Sequence, residues 1–161
     1  MDITLQTESL TMYASRKLRD GFTLVELIIV MVILGIMAAV AVPRYLNSIA
    51  NAEESAEDAV ITAIRNGLRQ AANDSLYANG RASWPSNPFD VLAEKPVGYT
   101  EDGDVADTDG EWTFLSYDAI NGQITHQRSD NSRYSWNYMA GTQDGDDAMP
   151  GYLEPRANFV Y

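Results

Sequence analysis

Gly21 to Pro43 reads GFTLVELIIVMVILGIMAAVAVP, and no other stretch of this 161-residue chain limits its fold so tightly. From Phe22 to Val42 a helix would be about 30 Å long, the thickness of a bilayer core. One acid, Glu26, stands inside it. Arg16, Lys17 and Arg19 precede the run, and no positive charge returns until Arg44. Basic residues flanking an apolar span mark its cytoplasmic side. Two ordinary segments have this shape. One is a secretory signal peptide, with Ala38, Ala39 and Ala41 imitating a cleavage site; the other is a single-pass anchor. Neither explains Glu26. A carboxylate in an apolar span costs roughly 2.5–3.5 kcal/mol on insertion scales and normally implies a partner. Snorkelling toward the cytoplasmic edge would avoid part of that cost.

Gly21-Phe22-Thr23-Leu24-Val25-Glu26, behind a basic leader and ahead of a long apolar run, resembles the class III signal of type IV pilins and of the related type II secretion pseudopilins. The resemblance covers Arg16 to about Pro43; the next helix matches in pattern only. It implies that a prepilin peptidase cuts between Gly21 and Phe22 on the cytoplasmic side, after which the Phe22 amine is N-methylated. A cleft at that subsite must admit a residue without a side chain, hence Gly21. It also implies that Glu26 meets the Phe22 amine of a neighbouring subunit during assembly. Such a pair is strong only in apolar surroundings, and removing one partner strands a charge. Gly35 and Pro43 fall where pilins commonly carry Gly and Pro. Pro43 removes a backbone donor and frees the Ala39 carbonyl, so either a kink at the membrane surface or melting of the interval inside a filament follows. Gly35 weakens the helix by up to about 1 kcal/mol relative to Ala.

The implied organisation is a leader over residues 1–21, a transmembrane and assembly half-helix over 22–43, and a head over 44–161. Met12 is an alternative start, giving a leader of 12–21. Asp20, beside the cut, departs from the family pattern and bears on cleavage efficiency. Implied partners are sibling pilins, the prepilin peptidase and inner-membrane assembly machinery. The precursor would be a single-pass inner-membrane protein and the product an extracellular filament, or a periplasmic pseudopilus in the secretion alternative.

The chain has no cysteine. Many pilins close their C-terminal region with a disulfide, so here packing, hydrogen bonds or a metal must hold it. Thiol nucleophiles and cysteine-ligated zinc are excluded. The net charge of −12 repels phosphates, which argues against nucleic acid as a partner.

Past Pro43 the helix is expected to continue to about Tyr77, with a stripe of Ile49, Ala52, Ala56, Ala59, Val60, Ala63, Ile64, Gly67, Leu68, Ala71 and Leu76. Glu53, Glu54, Glu57, Asp58, Arg65 and Arg69 are assigned to other faces. Phe22–Tyr77 would then form a rod of about 80 Å. Gly67, within the stripe, suggests close approach of a sheet. Asn79-Gly80 is a helix stop. Trp84-Pro85, Asn87-Pro88-Phe89 and Lys95-Pro96 break the connection that follows, with a turn at Asp90–Leu92 and Phe89, Val91 and Leu92 as core plugs. Then the period changes to two. Strands are expected over Trp112–Tyr117, Gln123–Arg128 and Arg133–Met139, with a type I′ hairpin at Asn121-Gly122. Tyr134, Trp136 and Tyr138 share a face. Ala140–Tyr161 reads mostly as loop, with docking points at Met149–Leu153 and Phe159–Tyr161. The fold class is α+β: one long helix against a small antiparallel sheet.

Little in the chain suggests catalysis. EDGDVADTDGE, from Glu101 to Glu111, could wrap oxygen ligands around Ca²⁺, and Gln143–Asp147 could meet it in space. The spacing is not that of a twelve-residue calcium loop, and a solvated acidic turn explains it as well. The major pseudopilins of type II secretion bind calcium near their C-terminal end. No resident cofactor is otherwise expected. The stripe of Trp112, Tyr117, Tyr134, Trp136 and Tyr138 suits core packing better than sugar binding or electron transfer. His126, the single histidine, is expected at a surface or edge. No nucleophile elbow or phosphate loop appears, so an enzyme is not expected. The expected function is a structural subunit of a type IV pilus-like filament. The alternatives are a type II secretion pseudopilin and, in a different class, a membrane-anchored calcium-binding or adhesive module that never polymerises.

Overall fold

The structure is a computed structural model and describes residues 21–101, 103–142 and 149–159. The leader before Gly21, the alternative start at Met12, Asp102 and the acidic turn Gln143–Asp147 lie outside the described residues. The chain divides into two compact units, residues 1–46 and 47–161. Helix α1, Leu24–Asn79, runs without a break through Gly35 and Pro43. No described residue of the first unit is buried.

In the second unit α1 buries one stripe: Glu57, Ile61, Ile64, Leu68 and Ala72. This is helical spacing, but its phase differs from the expected one. Ala52, Ala56, Ala59 and Ala63 are exposed, whereas Ile61 is in the core and Glu57 heads the stripe. Alanines are small enough to sit on any face, so they blurred the apolar pattern; the branched side chains set the true one. The helix stops at Asn79 as expected. Gly80 has φ 72° and returns its N–H to the Leu76 carbonyl at 2.8 Å. Gly67 is approached not by a sheet but by Val91, whose Cγ2 would lie 2.5 Å from an added Cβ. Val91 belongs to a 3₁₀ turn, Pro88–Val91, capped by the Asn87 side chain on the Phe89 N–H. This turn begins two residues earlier and ends one residue earlier than expected, and it seats Phe89 fully in the core.

Among the described residues six strands follow: β1 (Tyr99–Thr100), β2 (Trp112–Ser116), β3 (Asn121–Gln127), β4 (Arg133–Met139), β5 (Tyr152–Leu153) and β6 (Ala157–Asn158). The order is β1-β2-β3-β4-β5, with β6 also on β4. The expected meander is present, and β1 adds a parallel edge against β2. The C-terminal segment expected as loop instead supplies β5 and β6, both antiparallel to β4. Asn121-Gly122 does not form the hairpin turn but pairs inside β3. Asp118 makes the turn, accepting from the N–H groups of Ile120 and Asn121 at 2.8 and 2.7 Å. Gly122 is needed for room, because an added Cβ would lie 2.3 Å from the Phe114 ring.

The core joins the helix stripe to one sheet face. Ile61, Ile64 and Leu68 cluster with Phe89, Trp112, Phe114, Ile124, Trp136, Tyr138 and Leu153. Trp112 stacks on Trp136 at 5.7 Å. Fully burying a side chain such as Ile64 is worth about 1.5–3 kcal/mol. Tyr138 donates to the Pro85 carbonyl at 2.6 Å, and burial pushes its hydroxyl up to about 12. The opposite sheet face is half covered by the described residues. There Thr113 and Thr125 bond each other at 2.7 Å beneath the loop that carries Ala106, whose N–H reaches Thr125 at 2.9 Å.

Candidate functional site

The start of α1 is a reciprocal cap. The Glu26 carboxylate accepts from the Thr23 N–H at 2.9 Å and from the Thr23 hydroxyl at 2.8 Å. The Glu26 N–H in turn donates to the Thr23 hydroxyl at 3.2 Å. This is the capping-box arrangement, which satisfies N–H groups that a helix otherwise leaves unpaired. Thr23 thus holds the carboxylate at the mouth of the helix, directly after Gly21 and Phe22 in the chain. Phe22 is 89% exposed. Nothing lies within 4 Å of an added Cβ at Gly21 or at Gly35. Packing explains Gly67 and Gly122, but the fold of the single chain gives no reason for glycine at 21 or 35. The apolar side chains from Leu24 to Leu46 are all exposed, and the helix is long and apolar enough to cross a membrane.

A second polar cluster lies in the head, and it corrects two expectations. Glu57 is not on an outer face and His126 is not at the surface. Glu57 is 0% exposed and His126 is 7% exposed. His126 Nδ1 is 2.9 Å from Glu57 Oε1. Arg128 binds both oxygens of the same carboxylate, Nε to Oε1 at 2.7 Å and Nη2 to Oε2 at 2.6 Å. Arg156, from the bend between β5 and β6, donates Nη1 to Oε2 at 3.0 Å and also pairs with Glu54. Burial pushes the Glu57 carboxyl up, but Arg128, His126 and Arg156 outweigh it and hold the group down at about 2. The His126 ring stacks on Trp112 at 4.2 Å. Arg128 lies over the Tyr134 ring at 4.0 Å. His126, Arg128 and Arg156 converge on one carboxylate and the cluster holds no hydroxyl or thiol nucleophile, so its chemistry is cohesion. One sequence signal pointed to it: Glu57 is in helical register with Ile61, Ile64 and Leu68.

The acidic loop is fastened to the sheet. Glu111 accepts from the N–H groups of Asp107 and Thr108 and from the Thr100 hydroxyl. Gln127 donates to the Asp107 carbonyl at 3.0 Å. Among the described residues no three acidic, histidine or cysteine side chains converge on a metal-sized space. Of the aromatic stripe, Trp112, Trp136 and Tyr138 are core, whereas Tyr117 is exposed.

Comparison with known proteins agrees with the helix start. Residues 16–42 match the family model of the prokaryotic N-terminal methylation motif. The chain is 32% identical over 114 residues to the type IV narrow pilus major component PilA5 of Thermus thermophilus, covering 70% of this chain and 90% of the relative. It is 32% identical over 93 residues to the type IV major fimbrial protein FimA of Dichelobacter nodosus, covering 50% and 58%. It is 41% identical over 70 residues to the type IV major pilin protein PilE1 of Neisseria gonorrhoeae, covering 44% and 39%. Against these last two the chain spans between about two fifths and three fifths of the relative's length. No solved structure matches.

Proposed function

The chain belongs to the type IV pilin family, and on that premise we propose that it is a structural subunit of a type IV pilus-like filament. One observation carries the proposal. An apolar half-helix has no side chain buried in its own unit, and its single acid is held at its first turn by Thr23. In the membrane, lipid covers that surface; in a filament, sibling helices cover it. Cleavage between Gly21 and Phe22 frees a cation two residues ahead of the helix. Once N-methylated, the Phe22 amine of an incoming subunit pairs with Glu26 of its neighbour. The charge contact sets register, and lateral apolar packing supplies most of the adhesion. Glycine at 21 then serves the peptidase, and glycine at 35 serves contacts or melting in the polymer together with Pro43. The partners under this proposal are sibling pilins, the prepilin peptidase and the inner-membrane assembly machinery. The precursor sits in the inner membrane and the product outside the cell.

Mass spectrometry of the mature N-terminus tests this. The proposal expects a chain beginning at methylated Phe22. Retention of the leader, or a cut near Ala41, supports instead an anchored calcium-binding or adhesive module that does not polymerise. A calcium-dependent rise in melting temperature at millimolar concentration would support a role for the acidic loop; an unmoved melt would end it. The relatives named above are pilus and fimbrial components, which favours a pilus over a secretion pseudopilus. Neighbouring pilus-assembly or secretion genes would decide between them.

A further inference from the structure

Among the described residues, the sheet face turned away from α1 is covered by the acidic loop at one end only, over Thr113 and Thr125. Its open end carries a cavity of about 280 Å³, close to the lower end of small-molecule sites, about 300–1,000 Å³. Tyr117 stands at one end, 59% exposed, and Tyr152 of β5 at the other, 44% exposed. A one-way chain of hydrogen bonds runs across this sheet face and includes three residues that line the cavity, Tyr117, Asn137 and Glu154. Tyr117 donates to Gln123 at 3.0 Å, Gln123 to Asn137 at 2.9 Å, and Asn137 to Glu154 Oε2 at 2.8 Å. Asn137 is exposed in the middle of β4, where asparagine is disfavoured and a β-branched residue would serve the fold better. The relay orients each amide and leaves Glu154 Oε1 as an acceptor at its end.

We propose that this cavity binds the ring of a neutral sugar. Each tyrosine offers a flat face to the C–H side of a pyranose, at low cost in side-chain entropy. Amides and one carboxylate suit vicinal hydroxyls, which donate and accept at adjacent positions. Glu154 disfavours phosphate, sulfate and carboxylate ligands, as does the net charge of −12. The site does not depend on polymerisation, so its failure would leave the filament proposal standing.

The full chain, ¹⁵N-labelled in a sugar-free detergent, would be titrated with methyl glucoside, methyl galactoside and N-acetylglucosamine to about 50 mM, which reaches millimolar affinities. Cationic glucosamine and anionic glucuronate serve as comparisons. The expected result is saturable amide shifts at Gln123, Asn137 and Glu154 with at least one neutral sugar. Tyr152→Ala or Tyr117→Ala should then weaken binding about tenfold or more, with the remaining spectrum and the melt unchanged. Asn137→Ser, which keeps a donor at the surface, should weaken it less. The proposal is overturned if no neutral sugar saturates, or if binding survives loss of both tyrosines. It is equally overturned if glucosamine alone binds and Glu154→Gln abolishes that binding.

Discussion

Desolvation alone would make Glu57 a weak acid in the folded head; its two arginines and His126 make it a strong one. Its carboxyl falls from the ordinary 4.5 to about 2 on folding. A group depressed in this way contributes stability above its unfolded value and loses it as pH falls toward the folded one. The window is therefore about pH 4.5 down to 2, and the contribution is on the order of 3 kcal/mol. Thermal melts of the wild type should lose stability steeply across that window. Glu57→Gln should cost about 3–5 kcal/mol at neutral pH, because Arg128 is left buried without its anion. It should also flatten the acid dependence relative to wild type; parallel curves would remove Glu57 from the account. This residue was also the least legible in sequence. Its partners lie 69, 71 and 99 positions away. No local pattern announces such a meeting. The helical register of Glu57 with Ile61 was readable, but the alanines between them blurred it.

Elements were legible where their signal is local. The apolar span, the helix stop at Gly80 and the three long strands each carry a period or a turn residue within a short window. β1, β5 and β6 are two residues each, too short for any period, and they form only because β2 and β4 offer open edges. Glycine within α1 separates two kinds of constraint. Gly67→Ala gains up to about 1 kcal/mol of helix propensity but drives a methyl into Val91, where overpacking costs about 1–3 kcal/mol. The head should therefore be destabilised by about 1 kcal/mol in chemical denaturation, and Val91→Ala in the same chain should recover part of it. Gly35→Ala meets nothing in the single chain, so the monomer should keep its fold and gain helicity by circular dichroism. If position 35 serves the polymer, the same variant should lower filament yield; normal yield would return Gly35 to the ordinary glycines of membrane helices.

At the scale of the whole molecule, a chain without cysteine must still hold its C-terminal segment. Arg156 clamps it to Glu57 and Glu54, and Arg65 donates to the Glu154 carbonyl at 3.2 Å. Leu153 is buried, and the Phe159 N–H returns to the Arg133 carbonyl at 3.0 Å. Arg156 is partly exposed, so its pairs are screened and the loss in Arg156→Ala should be about 1–2 kcal/mol. Amide exchange should quicken over Tyr152–Asn158 before the rest of the sheet; uniform protection would show that packing alone holds the strap. The head and the assembly helix meet different demands, and the account of function rests on the second. Its most direct test is filament yield from Glu26→Ala in cells where mass spectrometry shows normal removal of the leader. The account predicts a processed, membrane-held subunit that fails to build ordered filaments. Filaments of normal yield and order from that variant would contradict it.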